Sequence, residues 1–142
     1  MTTTTKPTIT LPAGAYAIAD PCHLLTESEW MEWDVLSRVN PGQQSFALSD
    51  GSRLVALHTE RGDGWYFDQD NFTYCVDSGQ IAIRSIAGVS AECMARLDNG
   101  YWDGDDQPVG RILVWGKPLS VAEEGSRLLI GDLVIETGWG QP

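Results

Sequence analysis

The stretch from Gly62 to Gly79, GDGWYFDQDNFTYCVDSG, sets Asp63, Asp68, Asp70 and Asp77 among Trp65, Tyr66, Phe67, Phe72 and Tyr74. Carboxylates at this density suit three kinds of chemistry: acid and base work on a substrate, oxygen ligation of a hard cation, or a grip on a basic surface. For cation ligation the spacing departs from an EF-hand loop. Asp68 and Asp70 alternate, but Asn71 and Phe72 follow where that loop needs its glycine turn. Aspartate is also common in turns because it accepts backbone hydrogen bonds there. A second segment, DNGYWDGDDQP over 98–108, joins Tyr101 and Trp102 to Asp103, Asp105 and Asp106. Aromatics beside acids can cage a cationic group such as an arginine or a methylated amine.

A nucleophile is available in Cys22-His23, a thiol beside an imidazole just ahead of a helix whose N-terminus would favour the thiolate. On extended chain the two side chains point to opposite faces, so a base such as His58 would have to come from another strand. A hydrolase-like or divalent-cation-binding protein would therefore use Asp63 and Asp77 with Cys22 and His58. The chain has two histidines and carries no GxSxG, HExxH, GxxxxGK[ST] or helix-opening GxGxxG. No cofactor, no metal and no catalytic residue is assigned on this pattern, and binding is favoured over catalysis.

Charge narrows the partners. With nine basic and twenty acidic residues the net charge is −11, which repels nucleic-acid phosphates and anionic lipid alike. No direct nucleic-acid or membrane contact is expected. A negative field attracts basic protein surfaces, including grooves in which other proteins hold nucleic acid. Three cysteines without CxxC or zinc-like spacing fit a reducing cytosol, and the N-terminus MTTTTKPTIT lacks the apolar segment of a signal peptide.

The 142 residues fit one domain over 8–142, preceded by a flexible threonine-rich tail over 1–7. AYAIAD (15–20) alternates Tyr16 and Ile18 with small residues and reads as a strand stopped by Asp20-Pro21. In TESEWMEWDVLSR, Thr26 and Glu29 form a capping box, and Trp30, Trp33, Leu36 and Met31, Val35 recur at helical spacing. Asn40-Pro41-Gly42 ends that helix. QSFAL, RLVALHT, WYFD, FTYCVD, QIAIRSI, GRILVWG and DLVIETG read as short strands between glycine-rich turns. SAECMARL (90–97) fits a short helix or a strand edge. The expected fold is mainly β (α+β), an antiparallel β-sandwich or partly open barrel with one helix packed across it.

Three stretches, LPAGAYAIADPCHLL, GDGWYFDQDNFTYCVDSGQIAI and LLIGDLVIETG, resemble a group of short uncharacterised proteins of bacteriophages and bacteria. That group shares a G-x-Y-x-I-x-D-P-C opening, a G-D-G-x-Y centre and a V-D-x-G-x-I strand. The matching positions are Gly14, Tyr16, Ile18, Asp20, Pro21, Cys22, Gly62, Asp63, Gly64, Tyr66, Val76, Asp77, Gly79 and Ile81. Trp65 departs from the group, where the position is commonly small or polar, and 98–106 is more acidic here. The resemblance implies a phage or mobile-element protein acting in the cytoplasm of a bacterial host. With the charge, it leads to the expectation of an inhibitor of a host nucleic-acid-handling defence complex, of anti-CRISPR or anti-restriction type, that occupies a basic surface. The expected partner-binding residues are Asp63, Trp65, Tyr66, Asp68, Asp70, Tyr101, Trp102, Asp103, Asp105 and Asp106. A structural assembly component joined through an apolar patch is the remaining alternative.

Overall fold

Strand β2 (Gly14–Ala19) explains the layering. Tyr16 and Ile18 point to one side of its sheet, and Ala17 and Ala19 point to the other, yet all four are buried. Large side chains hold a second sheet at about the usual 10 Å spacing, whereas alanines let helices approach closely. A computed structural model describes residues 8–99 and 108–138 and shows this three-layer arrangement.

In chain order the elements are β1 (Ile9–Leu11), β2 (Gly14–Ala19), α1 (Pro21–Leu24), α2 (Glu27–Val39), β3 (Ser45–Ala47), β4 (Arg53–His58), β5 (Gly64–Asp68), β6 (Thr73–Val76) and β7 (Gln80–Ser85). A 3₁₀ turn at Ile86–Gly88 follows, then α3 (Ala91–Asn99), β8 (Gly110–Trp115), β9 (Leu119–Glu124), β10 (Arg127–Ile130) and β11 (Leu133–Glu136). One sheet has the order β1-β9-β10-β11-β5-β6 and the other β3-β4-β7-β2-β8. Every strand pairing is antiparallel. The fold is therefore a mainly β, α+β sandwich, not a closed barrel, and its helix layer holds α1 and α3 as well as α2. The segment 90–97 is helical, with Ser90 Oγ accepting from the Cys93 amide.

Between the sheets lie Tyr16, Ile18, Val55, Leu57, Ile81 and Ile83 from the five-stranded sheet, against Tyr66, Tyr74, Val121, Leu128, Ile130 and Ile135 from the six-stranded one. The opposite face of the five-stranded sheet, with Ala17, Ala19, Ala56 and Ala82, takes Leu24, Trp33, Cys93 and Leu97 from the helices. Trp33 meets Phe46 edge-on at 6.4 Å between ring centroids. Close approach recurs at Gly110, where an added Cβ would lie 2.6 Å from that of Ala19 and 2.8 Å from Leu97 of α3.

The β10–β11 turn shows how tightly the open end is closed. Gly131 has φ +59°, and a Cβ there would fall 2.6 Å from Nε1 of Trp115, which donates to Asp132 at 3.0 Å. Gly131→Ala therefore combines backbone strain with displacement of a buried indole. It is expected to cost about 2 kcal/mol or more and lower the melting temperature by roughly 5 °C. Thermal melts followed by tryptophan emission test this, and an unchanged midpoint would show that Trp115 is free to move aside.

Candidate interaction surface

Hairpin β5–β6 carries the acidic and aromatic stretch, and strand geometry sorts its residues. Trp65 pairs across with Cys75, and Tyr66 with Tyr74. Successive side chains of a strand point to opposite faces, so Trp65 and Phe67 turn outward while Tyr66 and Asp68 turn in. Trp65 is 48% and Phe67 44% exposed, whereas Tyr66 is 2% and Asp68 5% exposed. Tyr66 and Asp68 thus cannot serve as surface contacts. Tyr66 fills the core and donates its hydroxyl to the carbonyl of Gly62 at 2.8 Å.

Asp68 is the centre of an internal network. Its Oδ1 accepts from the amides of Asp70 at 2.8 Å and Phe72 at 3.1 Å. Its Oδ2 accepts from the Tyr74 hydroxyl and from Nη1 of Arg111 on β8, both at 2.7 Å. Arg111 also reaches Asp70 at 3.0 Å and sits 5.6 Å from the ring centroid of Phe72. Burial raises the pKa of Asp68, but the Tyr74 hydroxyl, Arg111 and the two amides together outweigh it, so the carboxyl is held below the usual range. Burial and the Asp68 carboxylate push the Tyr74 phenol up. The link after β5 is held by Asn71 at φ +63°, a left-handed conformation that asparagine tolerates. The acids at this tip bind the two sheets to each other, leaving Asp70 exposed but already paired.

The outer face continues beyond the hairpin. Phe67 faces Glu136 of β11 across the ladder, and Glu136 pairs with Arg127 at 3.0 Å. Asp63 and Asp77, both exposed, stand at the end of the hairpin away from its link. Their region is fixed by the buried carboxylate of Asp20. Its Oδ2 accepts from the amides of Asp77 and Ser78, both at 2.8 Å, and from the Ser78 hydroxyl at 2.9 Å, while Oδ1 caps α1 through Cys22 N at 2.8 Å. Gly79 lies against Gly62, its Cβ position 3.7 Å from the Gly62 Cα. The D-P-C, G-D-G and V-D-x-G stretches, far apart in sequence, therefore meet at one end of the sandwich. Tyr101, Trp102, Asp103, Asp105 and Asp106 lie outside the described residues.

The same geometry disposes Cys22 poorly for nucleophilic chemistry. Cys22 lies inside the short helix α1, and burial, followed by the Asp20 and Asp77 carboxylates, pushes its thiol far up, away from the thiolate. Burial lowers the pKa of His23 and keeps its imidazole neutral. His58 is half exposed and turned toward Glu123, with Nδ1 3.8 Å from Oε1. A cleft of about 490 Å³ beside Cys22 is lined by Leu25, Thr26, Glu27, Trp30, Glu92 and Arg96, with neither Asp63, Asp77 nor His58. Among the described residues no group of three or more His, Cys, Asp or Glu is gathered to hold a metal ion, and no helix is long and apolar enough to cross a membrane.

Fold and surface together define an acidic α+β sandwich that presents an aromatic pair on the outside of its six-stranded sheet. No family model, curated protein or solved structure matches the chain.

Proposed function

We propose that this chain is an acidic protein-binding module whose docking face is the outer surface of β11–β5–β6, with Trp65 and Phe67 as anchors and Asp63, Asp77 and Glu136 as its rim. The observation that carries this reading is the exposure of two neighbouring large aromatics on a chain of net charge −11. Aromatic anchors inside a charged rim supply affinity, and the charge supplies orientation and a fast approach to a basic surface. The resemblance to phage and bacterial proteins gives the finer reading: the basic surface is a nucleic-acid-binding groove of a host defence complex, and occupying it blocks that complex.

Replacing both anchors, as Trp65→Ser with Phe67→Ser, is expected to weaken the partner complex by about 2 kcal/mol or more, roughly thirtyfold, without changing the melting temperature. The checks are capture of host proteins on immobilised chain, elution along a salt gradient, and the plating of a restricted phage on cells expressing either form. Capture that ignores both the anchors and the ionic strength would refute the docking face. Capture that depends on them without any gain in phage plating would leave the binding module standing and remove the anti-defence role.

A further inference from the structure

Helix α2 carries apolar residues on two opposite faces. Trp30, Trp33 and Leu36 pack inward on the five-stranded sheet. Met31, Val35 and Val39, spaced i, i+4, i+8, form a row on the far side and are 63, 59 and 70% exposed. A helix lying on a core needs one apolar face, so the second row is unexplained by folding.

The row is symmetric about Val35. A two-fold axis through that residue, perpendicular to the helix, would set Val35 on Val35 of a second copy and Met31 on Val39, so one contact covers both rows. In an antiparallel pair each flank of a helix meets the same flank of its mate. One flank of the row carries Asp34 and Arg38, paired with each other at 3.2 Å, with Arg38 78% exposed. Two copies packed this way bring Arg38 of each beside Asp34 of the other, so opposite charges alternate along that flank, while Glu32 on the other flank is held by Ser49 N and Oγ of its own chain. The surplus of acids over the rest of the chain opposes any self-contact that lacks such a pairing.

We infer that the chain forms a two-fold homodimer through antiparallel packing of the outer faces of α2. The docking face proposed above lies on the far layer of the sandwich, so the dimer leaves both copies of it open, but the inference does not rest on that reading.

Sedimentation of the full chain across a concentration series tests it. The wild type is expected to reach twice the chain mass. Val35→Glu, at a position already in solvent, is expected to remain monomeric with an unchanged melting temperature. Arg38→Asp is expected to raise the dissociation constant at least about tenfold, and Asp34→Arg with Arg38→Asp to restore it. A wild type that is monomeric throughout, or a dimer that survives Val35→Glu, would overturn the inference. A charge-swapped double variant no better than Arg38→Asp alone would overturn the antiparallel geometry.

Discussion

Arg84→Met is expected to destabilise the fold by about 3–5 kcal/mol and to lower its melting temperature by at least roughly 10 °C, among the largest effects of any single substitution in this chain. Arg84 projects from β7 onto the helix face of its sheet, between Ala17 and Leu54 of the neighbouring strands, and is fully buried. Nη1 donates to the Leu24 carbonyl and to Oε1 of Glu29, both at 2.9 Å, and Nη2 donates to Oε2 of Glu29 and to Ser52 Oγ, both at 2.8 Å. One guanidinium thereby joins the end of α1, the first turn of α2 and the β3–β4 turn to the central sheet. Methionine fills the volume but leaves Glu29, whose side chain is 20% exposed, beside an apolar group. Because most of that cost is the abandoned carboxylate, Glu29→Gln with Arg84→Met should lose less than the sum of the single changes, by about 1.5–3 kcal/mol. Denaturant unfolding of the four proteins measures this coupling. Strict additivity would mean that the pair adds nothing beyond its separate contacts.

The Glu29 of this network also shows what was legible in the sequence. The capping box predicted from Thr26 and Glu29 is present, with Thr26 N donating to Oε1 of Glu29 at 2.9 Å and Glu29 N donating to Thr26 Oγ1 at 3.3 Å. Local spacing reveals such a cap, but the bidentate ion pair of the same carboxylate depends on Arg84, fifty-five residues later, and on sheet register. Eight strands, β2 to β8 and β11, could be read from alternation and turns. Strands β1, β9 and β10 could not: β1 has three residues beside a proline, and β9 ends in Glu123 and Glu124, where polar residues obscure its buried Leu119 and Val121. At the hairpin, parity alone separates Trp65 and Phe67 from Tyr66 and Asp68, because neighbours on a strand cannot share a face. Parity does not say which set is buried. An aspartate goes inward here because Arg111 meets it across the sandwich, a match invisible to any pattern of local spacing.

That match makes Asp68→Asn the second large effect, and one with a pH signature. Asparagine keeps an acceptor for the Asp70 and Phe72 amides, but its amide group then points donors at Arg111 and at the Tyr74 hydroxyl. Arg111 would retain Asp70, whose side chain is 61% exposed and therefore a weak partner. The expected cost near pH 7 is about 3 kcal/mol, or roughly 10 °C of melting temperature. The sign of the pH dependence follows from the direction of the Asp68 shift. Its folded pKa lies below the ordinary value of about 3.9, so the stabilisation is complete above that value and is lost as pH falls through the folded pKa. Glu29, held down mainly by its hydrogen bonds to Arg84, behaves in the same direction, but it is common to both proteins and cancels in their difference. The gap between wild type and Asp68→Asn should therefore stay constant from neutral pH to about 4 and close below it, since protonated Asp68 no longer neutralises Arg111. Paired thermal melts across that range decide the matter. A gap that keeps its full size in acid would mean that Asp68 contributes through the shape of its hydrogen bonds and not through its charge.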